Sequence, residues 1–193
     1  RDAQESRGLG DVYKRQIKTL YLLLPAYLAN MTPPIFNTLG WLNFLAKPID
    51  GGKKLGNDYL FGPHKTWRGL VVAVLSGIVV AGLQSWLYNN WYFNEISLID
   101  YQRNWLIFGL CAGSGAILGD LIKSFFKRRL HIVAGDAWPI FDQLDFILGF
   151  FLATFWLIKF DLKIFIISIL LTLILHPLTN FLAYFLKIKK VWW

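Results

Sequence analysis

The chain has 193 residues, of which 55% are hydrophobic and 17% aromatic, and its formal net charge is +8. A soluble domain of this size is rarely so apolar, so the composition favours an integral membrane protein. In such a protein, excess positive charge marks cytoplasmic loops and contacts with anionic lipids or phosphates, and we expect no nucleic acid partner. The single cysteine, Cys111, excludes a disulfide within the chain.

The first 16 residues, RDAQESRGLGDVYKRQ, differ from everything that follows. They contain few apolar residues and join abruptly to a hydrophobic run. We interpret residues 1–16 as a non-native or disordered extension and leave them out of the fold prediction. Residues 17–193 are then expected to form a single transmembrane domain.

Five apolar stretches are each long enough to cross a bilayer as a helix, which takes about 20 residues. The runs are long and continuous rather than short and alternating, which argues against strands. The sequence therefore predicts an all-α fold, a polytopic membrane helix bundle with about five transmembrane helices. The predicted spans are residues 17–36, 67–88, 104–126, 139–158 and 164–186.

Basic side chains are concentrated on one side of this predicted bundle. By the positive-inside rule, the loops after the first and third spans face the cytoplasm and the amino terminus faces outward. We therefore expect a multi-pass protein of the cell membrane whose charged motifs face the cytoplasm. The basic residues of that side are Lys47, Lys53, Lys54, Lys65, Arg68, Lys123, Lys127, Arg128, Arg129, Lys187, Lys189 and Lys190. The other side carries Arg103, Lys159 and Lys163, together with Arg1, Arg7, Lys14, Arg15 and Lys18 near the amino terminus.

Prolines interrupt the first span. Pro25, Pro33 and Pro34 each lack a backbone donor, which predicts a kinked span that ends at the Pro-Pro pair. A second interpretation is that the freed carbonyls, together with Asn30, line a polar cavity, as broken helices do in other membrane proteins.

Four glycines in the third span form two G-x-x-x-G patterns. Gly109 pairs with Gly113 and Gly115 pairs with Gly119, and small residues at this spacing let helices approach closely. We expect tight packing within the bundle, which would bring a neighbouring helix near Asp120.

The most charged segment, GDLIKSFFKRRLHIVAGDAWPIFDQLDF at residues 119–146, lies between two apolar spans. Asp120, Lys123, Ser124 and Lys127 are spaced i, i+3, i+4 and i+7, so they share one helix face. Downstream, Asp142 and Asp145 are spaced i and i+3 and share another. A charged side chain within hydrocarbon costs roughly 2.5 to 3.5 kcal/mol, so these acids are expected to face a cavity or a partner.

Three carboxylates converging from two helices resemble a divalent cation site. Mg²⁺ is the expected ion where phosphates are handled, so Asp120, Asp142 and Asp145 are the candidate metal ligands. Lys123, Lys127, Arg128 and Arg129 add positive charge beside them, which suits phosphate chemistry on a lipid. The alternative for the basic run alone is that these side chains snorkel and set topology. Asp136, after Gly135, is expected to be a solvated turn residue.

A second motif, FGPHKTWRG at residues 61–69, precedes the second span. Lys65, Thr66 and Arg68 offer two cations and a hydroxyl at a helix start, a place for an anion such as a triphosphate. The alternative is an interfacial anchor, with Trp67 in the aromatic belt. The three histidines have no zinc-ligand spacing.

Four separated segments of the chain, GDLIKSFFKRR, PIFDQLDF, PAYLANMTPPIF and HKTWRG, closely resemble the CDP-archaeol synthase family. The resemblance covers nearly the whole chain from about Tyr21 onward. A more distant likeness is to the phosphatidate cytidylyltransferases, whose Ser…Lys-Arg and Asp-Arg-x-Asp elements correspond here to Ser124, Lys127 and Arg128, and to Asp142 and Asp145. Gln143 stands where that relative has Arg, and its His-Gly-Gly is absent, which favours the ether-lipid family.

This resemblance implies a membrane cytidylyltransferase that forms a CDP-activated ether lipid and pyrophosphate from CTP and a lipid phosphate, with Mg²⁺ as cofactor. The implied partners are CTP, a lipid phosphate of the archaetidic acid or phosphatidate type, and membrane lipids. Alternatives are a CDP-diacylglycerol synthase and, from a different class, a small membrane transporter. We assign catalytic roles to Asp120, Lys127, Arg128, Asp142 and Asp145. The predicted substrate-binding residues are Asn30, Lys65, Thr66, Arg68, Lys123, Ser124 and Gln143.

Overall fold

The protein is described by a computed structural model that covers residues 2–133, 135–159, 161–188 and 191, with side chains from residue 10 onward. Within this part the chain forms six α-helices and one short antiparallel hairpin. The elements are α1 (Asp2–Thr38), β1 (Lys54–Leu55), β2 (Asp58–Tyr59), α2 (Trp67–Leu87), α3 (Trp91–Glu95), α4 (Tyr101–Arg129), α5 (Phe141–Thr154) and α6 (Leu162–Phe185). A 3-10 turn, Asn43–Leu45, lies between α1 and β1. The predicted all-α class is confirmed.

Five spans were predicted, and among the described residues three helices, α2, α4 and α6, are long and apolar enough to cross a membrane; α1, which contains the first predicted span, is not one of them. The fourth predicted span is shorter than expected, because α5 has only 14 residues. At 1.5 Å per residue α5 is about 21 Å long, less than the hydrocarbon core of about 30 Å. The chain leaves the helix after Thr154 and continues in turns, so α5 is a short helix. Its residues Phe146, Ile147 and Phe150 are buried in the core of the bundle.

The first helix does not end at the Pro-Pro pair as predicted. α1 passes through Pro33 and Pro34 to Thr38. A proline cannot donate to the carbonyl four residues earlier, so local bonding weakens here. This end of α1 is in contact with other parts of the chain: the Thr32 hydroxyl lies 2.8 Å from the Ser76 hydroxyl of α2, and Thr38 Oγ1 donates to the carbonyl of Ile188 at 3.1 Å.

The described part of the amino-terminal segment is helical and continuous with α1. The division of the chain after residue 16 stays a prediction. Arg1, Lys189 and Lys190, which the topology prediction uses, lie outside the described residues.

Glycines place α4 in backbone contact with both of its main neighbours. A Cβ on Gly113 would lie 2.8 Å from the Ala73 carbonyl oxygen of α2, and one on Gly115 would lie 2.5 Å from the Gly149 carbonyl oxygen of α5. A Cβ on Gly119 would collide with the Asp145 carbonyl oxygen. The predicted tight packing is therefore confirmed, and it fixes the start of α5 against the carboxyl-terminal half of α4.

Candidate active site

Three carboxylates from α4 and α5 surround one ammonium group. Lys123 Nζ lies 3.1 Å from Asp120 Oδ1, 2.9 Å from Asp142 Oδ1 and 2.6 Å from Asp145 Oδ2. We call Asp120, Asp142 and Asp145 the carboxylate cluster. They meet because the backbones of α4 and α5 touch at Gly119, one residue before Asp120.

Two more lysines complete the charge balance of the carboxylate cluster. Lys65 Nζ lies 2.5 Å from Asp120 Oδ2. Lys127 Nζ lies 3.2 Å from Asp142 Oδ2 and donates to the backbone carbonyl of Asp136 at 2.5 Å. Half-buried or buried charges are tolerated when they are paired and hydrogen-bonded. The three acids and the three lysines therefore neutralise one another.

Backbone donors hold the two acids of α5 in place. Trp138 N donates to Asp142 Oδ2 at 2.6 Å, and Phe146 N donates to Asp145 Oδ1 at 2.6 Å. The first of these bonds closes the turn that leads into α5, and the rings of Trp138 and Phe141 stack there at 4.2 Å. The turn therefore fixes the orientation of Asp142 towards Lys123.

The carboxylate cluster opens into a cavity of about 890 Å³. This volume suits a ligand of several hundred Å³. Its lining combines the charged side chains of the carboxylate cluster with residues of α1 and α6, many of which are apolar. The apolar lining includes Met31, Pro34, Leu182, Ala183 and Leu186. Asn30 lines the same cavity beside Ala29, and these two residues carry the carbonyls that Pro34 and Pro33 leave without a helical donor.

The three residues of the second predicted motif have different roles: Lys65 contacts the carboxylate cluster, and Thr66 and Arg68 make contacts that stabilise the fold. Lys65, Thr66 and Arg68 all line the cavity, but only Lys65 reaches the carboxylate cluster. Thr66 caps α2, since its Oγ1 accepts from Gly69 N at 3.2 Å. Arg68 is buried and donates to Asn43 Oδ1 at 2.8 Å and to Asn37 Oδ1. Its guanidinium therefore ties α2 to the end of α1 and the 3-10 turn.

The remaining predicted residues have different surroundings. Ser124 lines the cavity, but its hydroxyl donates to the Asp120 carbonyl at 2.8 Å within α4. Arg128 also lines the cavity, and its Nε is buried without a hydrogen-bond partner among the described residues. Gln143 is half-buried and is not among the described residues of the cavity wall.

The loop that carries Lys65 is organised by Asp50. Its carboxylate accepts from the backbone N–H groups of Gly52, Phe61 and Gly62 at 2.9, 3.1 and 3.3 Å. Burial alone would raise the pKa of Asp50, but these donors outweigh burial and hold the pKa below its usual value. Arg129 pins the hairpin of the same loop by donating to the Tyr59 carbonyl at 2.8 Å.

The sequence prediction missed Asp50 and two polar residues of α6. His176 and Asn180 line the cavity, and His176 stacks on Phe146 with ring centroids 6.1 Å apart. The available signal was their four-residue spacing in an otherwise apolar run, which puts both on one helix face. Asp50 gave no such signal, because its acceptor role depends on a loop conformation.

The carboxylate cluster has the chemistry of a hard divalent cation site, since oxygen ligands from carboxylates are those that Mg²⁺ prefers. All three acids already share one positively charged atom at 2.6–3.1 Å. As they stand, no group of three or more His, Cys, Asp or Glu side chains among the described residues is arranged to hold a metal ion. In this arrangement Lys123 Nζ lies between the three carboxylates.

Known proteins share this chain's sequence over most of its length. Residues 12–193 match the model of the CarS-like family, described as CDP-archaeol synthase. A CDP-archaeol synthase of Methanocaldococcus jannaschii is 34% identical over 182 residues, which are 94% of this chain and 99% of the relative. Another, of Methanococcus aeolicus, is 36% identical over 180 residues, 92% of this chain and 96% of the relative.

A solved structure has the same fold. It is described as an intramembrane enzyme for archaeal membrane lipids biosynthesis, and it superposes with a TM-score of 0.67 at 28% identity, covering 83% of this chain and 91% of the other. Together with the apolar helices, this likeness indicates a multi-pass membrane protein. The family match and the two relatives each cover most of the chain, and on these grounds the chain belongs to the CDP-archaeol synthase family.

Proposed function

We propose that the chain is an integral membrane cytidylyltransferase that joins the cytidylyl group of CTP to the phosphate of an ether lipid of the archaeol type. The observation that carries this proposal is the carboxylate cluster with its lysines, which faces a cavity that is also lined by apolar residues of α1 and α6. Such a cavity can hold a charged nucleotide and the head group of a lipid at the same time.

The reaction needs no nucleophile from the protein. An oxygen of the lipid phosphate attacks the α-phosphorus of CTP, the bond from that phosphorus to the oxygen bridging to the β-phosphate breaks, and pyrophosphate leaves. Both reactants are anions, so the chain must position them and neutralise their charge. The cations that line the cavity, Lys65, Lys127 and Arg128 among them, are placed to do this.

Asp120, Asp142 and Asp145 are the residues that would hold Mg²⁺. When bound, this ion neutralises phosphate charge and orients the reacting oxygens. The carboxylates themselves have fixed orientations, because Asp142 and Asp145 each accept a backbone N–H.

Arg128 is our candidate for the lipid phosphate or the departing pyrophosphate. Its Nε is buried at the cavity and has no hydrogen-bond partner among the described residues. An unpaired guanidinium donor is costly in a buried place, and a phosphate oxygen would satisfy it. The apolar lining residues of α1 and α6 would then hold the first part of the lipid chains, and the active site would face the cytoplasm, where CTP is available.

The test is turnover by purified protein in lipid nanodiscs, followed by pyrophosphate release. CTP and Mg²⁺ are supplied with either digeranylgeranylglyceryl phosphate or dioleoyl phosphatidate. We expect the ether lipid to be consumed, with formation of the CDP-lipid. Consumption of phosphatidate alone would favour a CDP-diacylglycerol synthase, and no CTP consumption with either lipid would overturn the proposed activity.

A further inference from the structure

We propose that Lys123 is an internal counter-ion: it holds the carboxylate cluster together when no metal is bound, and its ammonium moves to the phosphates when metal and nucleotide bind. The nucleotide half of this inference rests on the proposed function. The metal half rests on the geometry of the carboxylate cluster alone. Lys123 is thus a positioning residue for the metal site and not simply one more phosphate-binding cation.

Lys123 uses all of its hydrogen-bond donors within the carboxylate cluster. An ammonium has three N–H donors and no acceptor. Its nitrogen lies within 3.1 Å of Asp120, Asp142 and Asp145, one oxygen of each. Every donor is therefore used by an acid, and in this arrangement Lys123 has none left for a phosphate.

The carboxylate cluster and its lysines together carry no net charge. Asp120, Asp142 and Asp145 are balanced by Lys65, Lys123 and Lys127. A divalent cation added to this neutral set would leave two uncompensated positive charges among side chains that are mostly shielded from water, which is unfavourable. A triphosphate supplies the missing negative charge, so the lysines released from the acids gain new partners. Metal and nucleotide should therefore favour each other's binding.

The Lys123 side chain is free to change its conformation. Lys123 lines the cavity with an exposed side-chain fraction of 13%, so its ammonium can turn towards a ligand there. A lysine side chain has a flexible four-carbon stem, which allows this without a shift of the helix. The backbone cannot shift easily, because Gly119 of α4 is in contact with the Asp145 carbonyl of α5.

The experiment measures Mg²⁺ binding by calorimetry on the whole protein in nanodiscs, without nucleotide or lipid substrate. Wild type should bind Mg²⁺ weakly, since the metal competes with an ammonium. Lys123→Met should bind Mg²⁺ about tenfold more tightly or better, as expected for loss of a charge-assisted contact to an acid. Lys123→Arg keeps the charge and should behave like wild type. The matched control is Lys14→Met, which removes a lysine from an exposed pair with Glu95 at 3.7 Å.

A second measurement, of nucleotide binding, should change in the direction opposite to that of Mg²⁺ binding. The affinity of Lys123→Met for the Mg²⁺ complex of a non-hydrolysable CTP analogue should fall, because the phosphates lose a cation. Tighter metal binding with weaker nucleotide binding is not what loss of a structural residue would produce. If the variant unfolds in EDTA, its thermal midpoint should recover with added Mg²⁺ far more than that of wild type.

Two results would overturn the proposal. One is a Mg²⁺ affinity of Lys123→Met that equals or falls below that of wild type. The other is an unstable variant that Mg²⁺ does not rescue. If instead the metal result is as expected but the wild type neither binds nor uses CTP, the counter-ion role stands and the proposed activity fails.

Discussion

Asp145 is the most enclosed acid of the carboxylate cluster, with a side chain only 5% exposed. Asn has nearly the same size but cannot bind a hard cation as a carboxylate does. We expect Asp120→Asn, Asp142→Asn and Asp145→Asn each to lower kcat by roughly a hundredfold or more, as loss of a preorganised electrostatic group does. The measurement is pyrophosphate release at saturating CTP.

Asp136→Asn is the matched control for these changes. The Asp136 side chain is exposed, and its contact to Lys127 uses the backbone carbonyl, which the substitution keeps. Turnover near that of wild type is expected. An active Asp142→Asn protein would contradict the metal role of the carboxylate cluster.

Lys65 and Arg68 form one motif in the sequence, but their contacts predict different phenotypes. Lys65 reaches Asp120 at the cavity, so Lys65→Ala should raise the KM for CTP about ten- to a hundred-and-fifty-fold. Arg68→Ala should instead lower the thermal midpoint, because it removes a buried side chain together with its hydrogen bonds to Asn37 and Asn43. Steady-state kinetics and thermal unfolding of both variants separate the two effects. If both variants raise the KM for CTP equally and Arg68→Ala leaves stability unchanged, Arg68 binds the anion as the sequence predicted.

The sequence predicted what helix periodicity controls, which is the set of side chains that share one face of a helix. The four-residue and three-residue spacings were enough to place the acids of α4 and α5 on facing surfaces. The partners of Arg68 could not be predicted, because Asn37 and Asn43 approach it only through the path of the chain after α1. The position of Lys123 between three acids was also hidden, since spacing shows which face a residue occupies but not which partner it takes.

The contact between helices α4 and α5 holds the carboxylate cluster together. Gly119→Ala would place a methyl group against the Asp145 carbonyl, so the helices must separate. We expect a loss of about 1–3 kcal/mol of stability, typical of overpacking, together with loss of turnover. Thermal unfolding and pyrophosphate release measure the two effects.

Gly10→Ala is the control for Gly119→Ala. Gly10 lies in α1, and a Cβ there would have nothing within 4 Å. Alanine is favoured over glycine in a helix by about 1 kcal/mol, so this variant should be unchanged or slightly more stable. Full activity and stability in Gly119→Ala would show that the helix contact does not set the site geometry.

The Asp50 loop should be sensitive to acid. A carboxyl whose pKa is lower in the folded than in the unfolded state stabilises the fold above its unfolded pKa, about 3.9, and loses that contribution as the pH falls through the folded value. Asp50 is such a group. Wild type should therefore be more stable than Asp50→Asn at pH 6, and the difference should shrink as the pH falls below about 3.9. Thermal midpoints across this range test it, and a gap that is constant with pH would contradict the role of the charge.

Helix boundaries were predicted less well than helix existence. The Pro-Pro pair predicted an end to α1, but the helix continues to Thr38, and Thr32 and Thr38 in this part contact α2 and the carboxyl-terminal segment. Apolar residues continue beyond Thr154, so hydropathy alone extended the fourth span past the true end of α5. In both cases tertiary contacts and turns decide the boundary, and neither is visible in composition.

The charged residues of the site lie at one end of the helix bundle, and its sides are apolar. The carboxylate cluster, Lys65 and the Asp50 loop lie at the end where α2 begins and α4 finishes. The sides of α2, α4 and α6 carry exposed large apolar residues, as lipid contact requires. A lipid phosphate can therefore reach the charged end while its chains stay among apolar side chains.

This arrangement predicts which end of the bundle faces the cytoplasm. Val133 follows α4 at the charged end and is 65% exposed, and Lys159 is an exposed residue after α5. The positive-inside rule places the first inside and the second outside. In a Cys111→Ala background, Val133→Cys should resist an impermeant thiol reagent added to intact cells, and Lys159→Cys should react. After the membrane is permeabilised, both should react, which controls for burial. Labelling of Val133→Cys in intact cells would place the carboxylate cluster on the outer side, away from CTP, and the proposed reaction could not then proceed there.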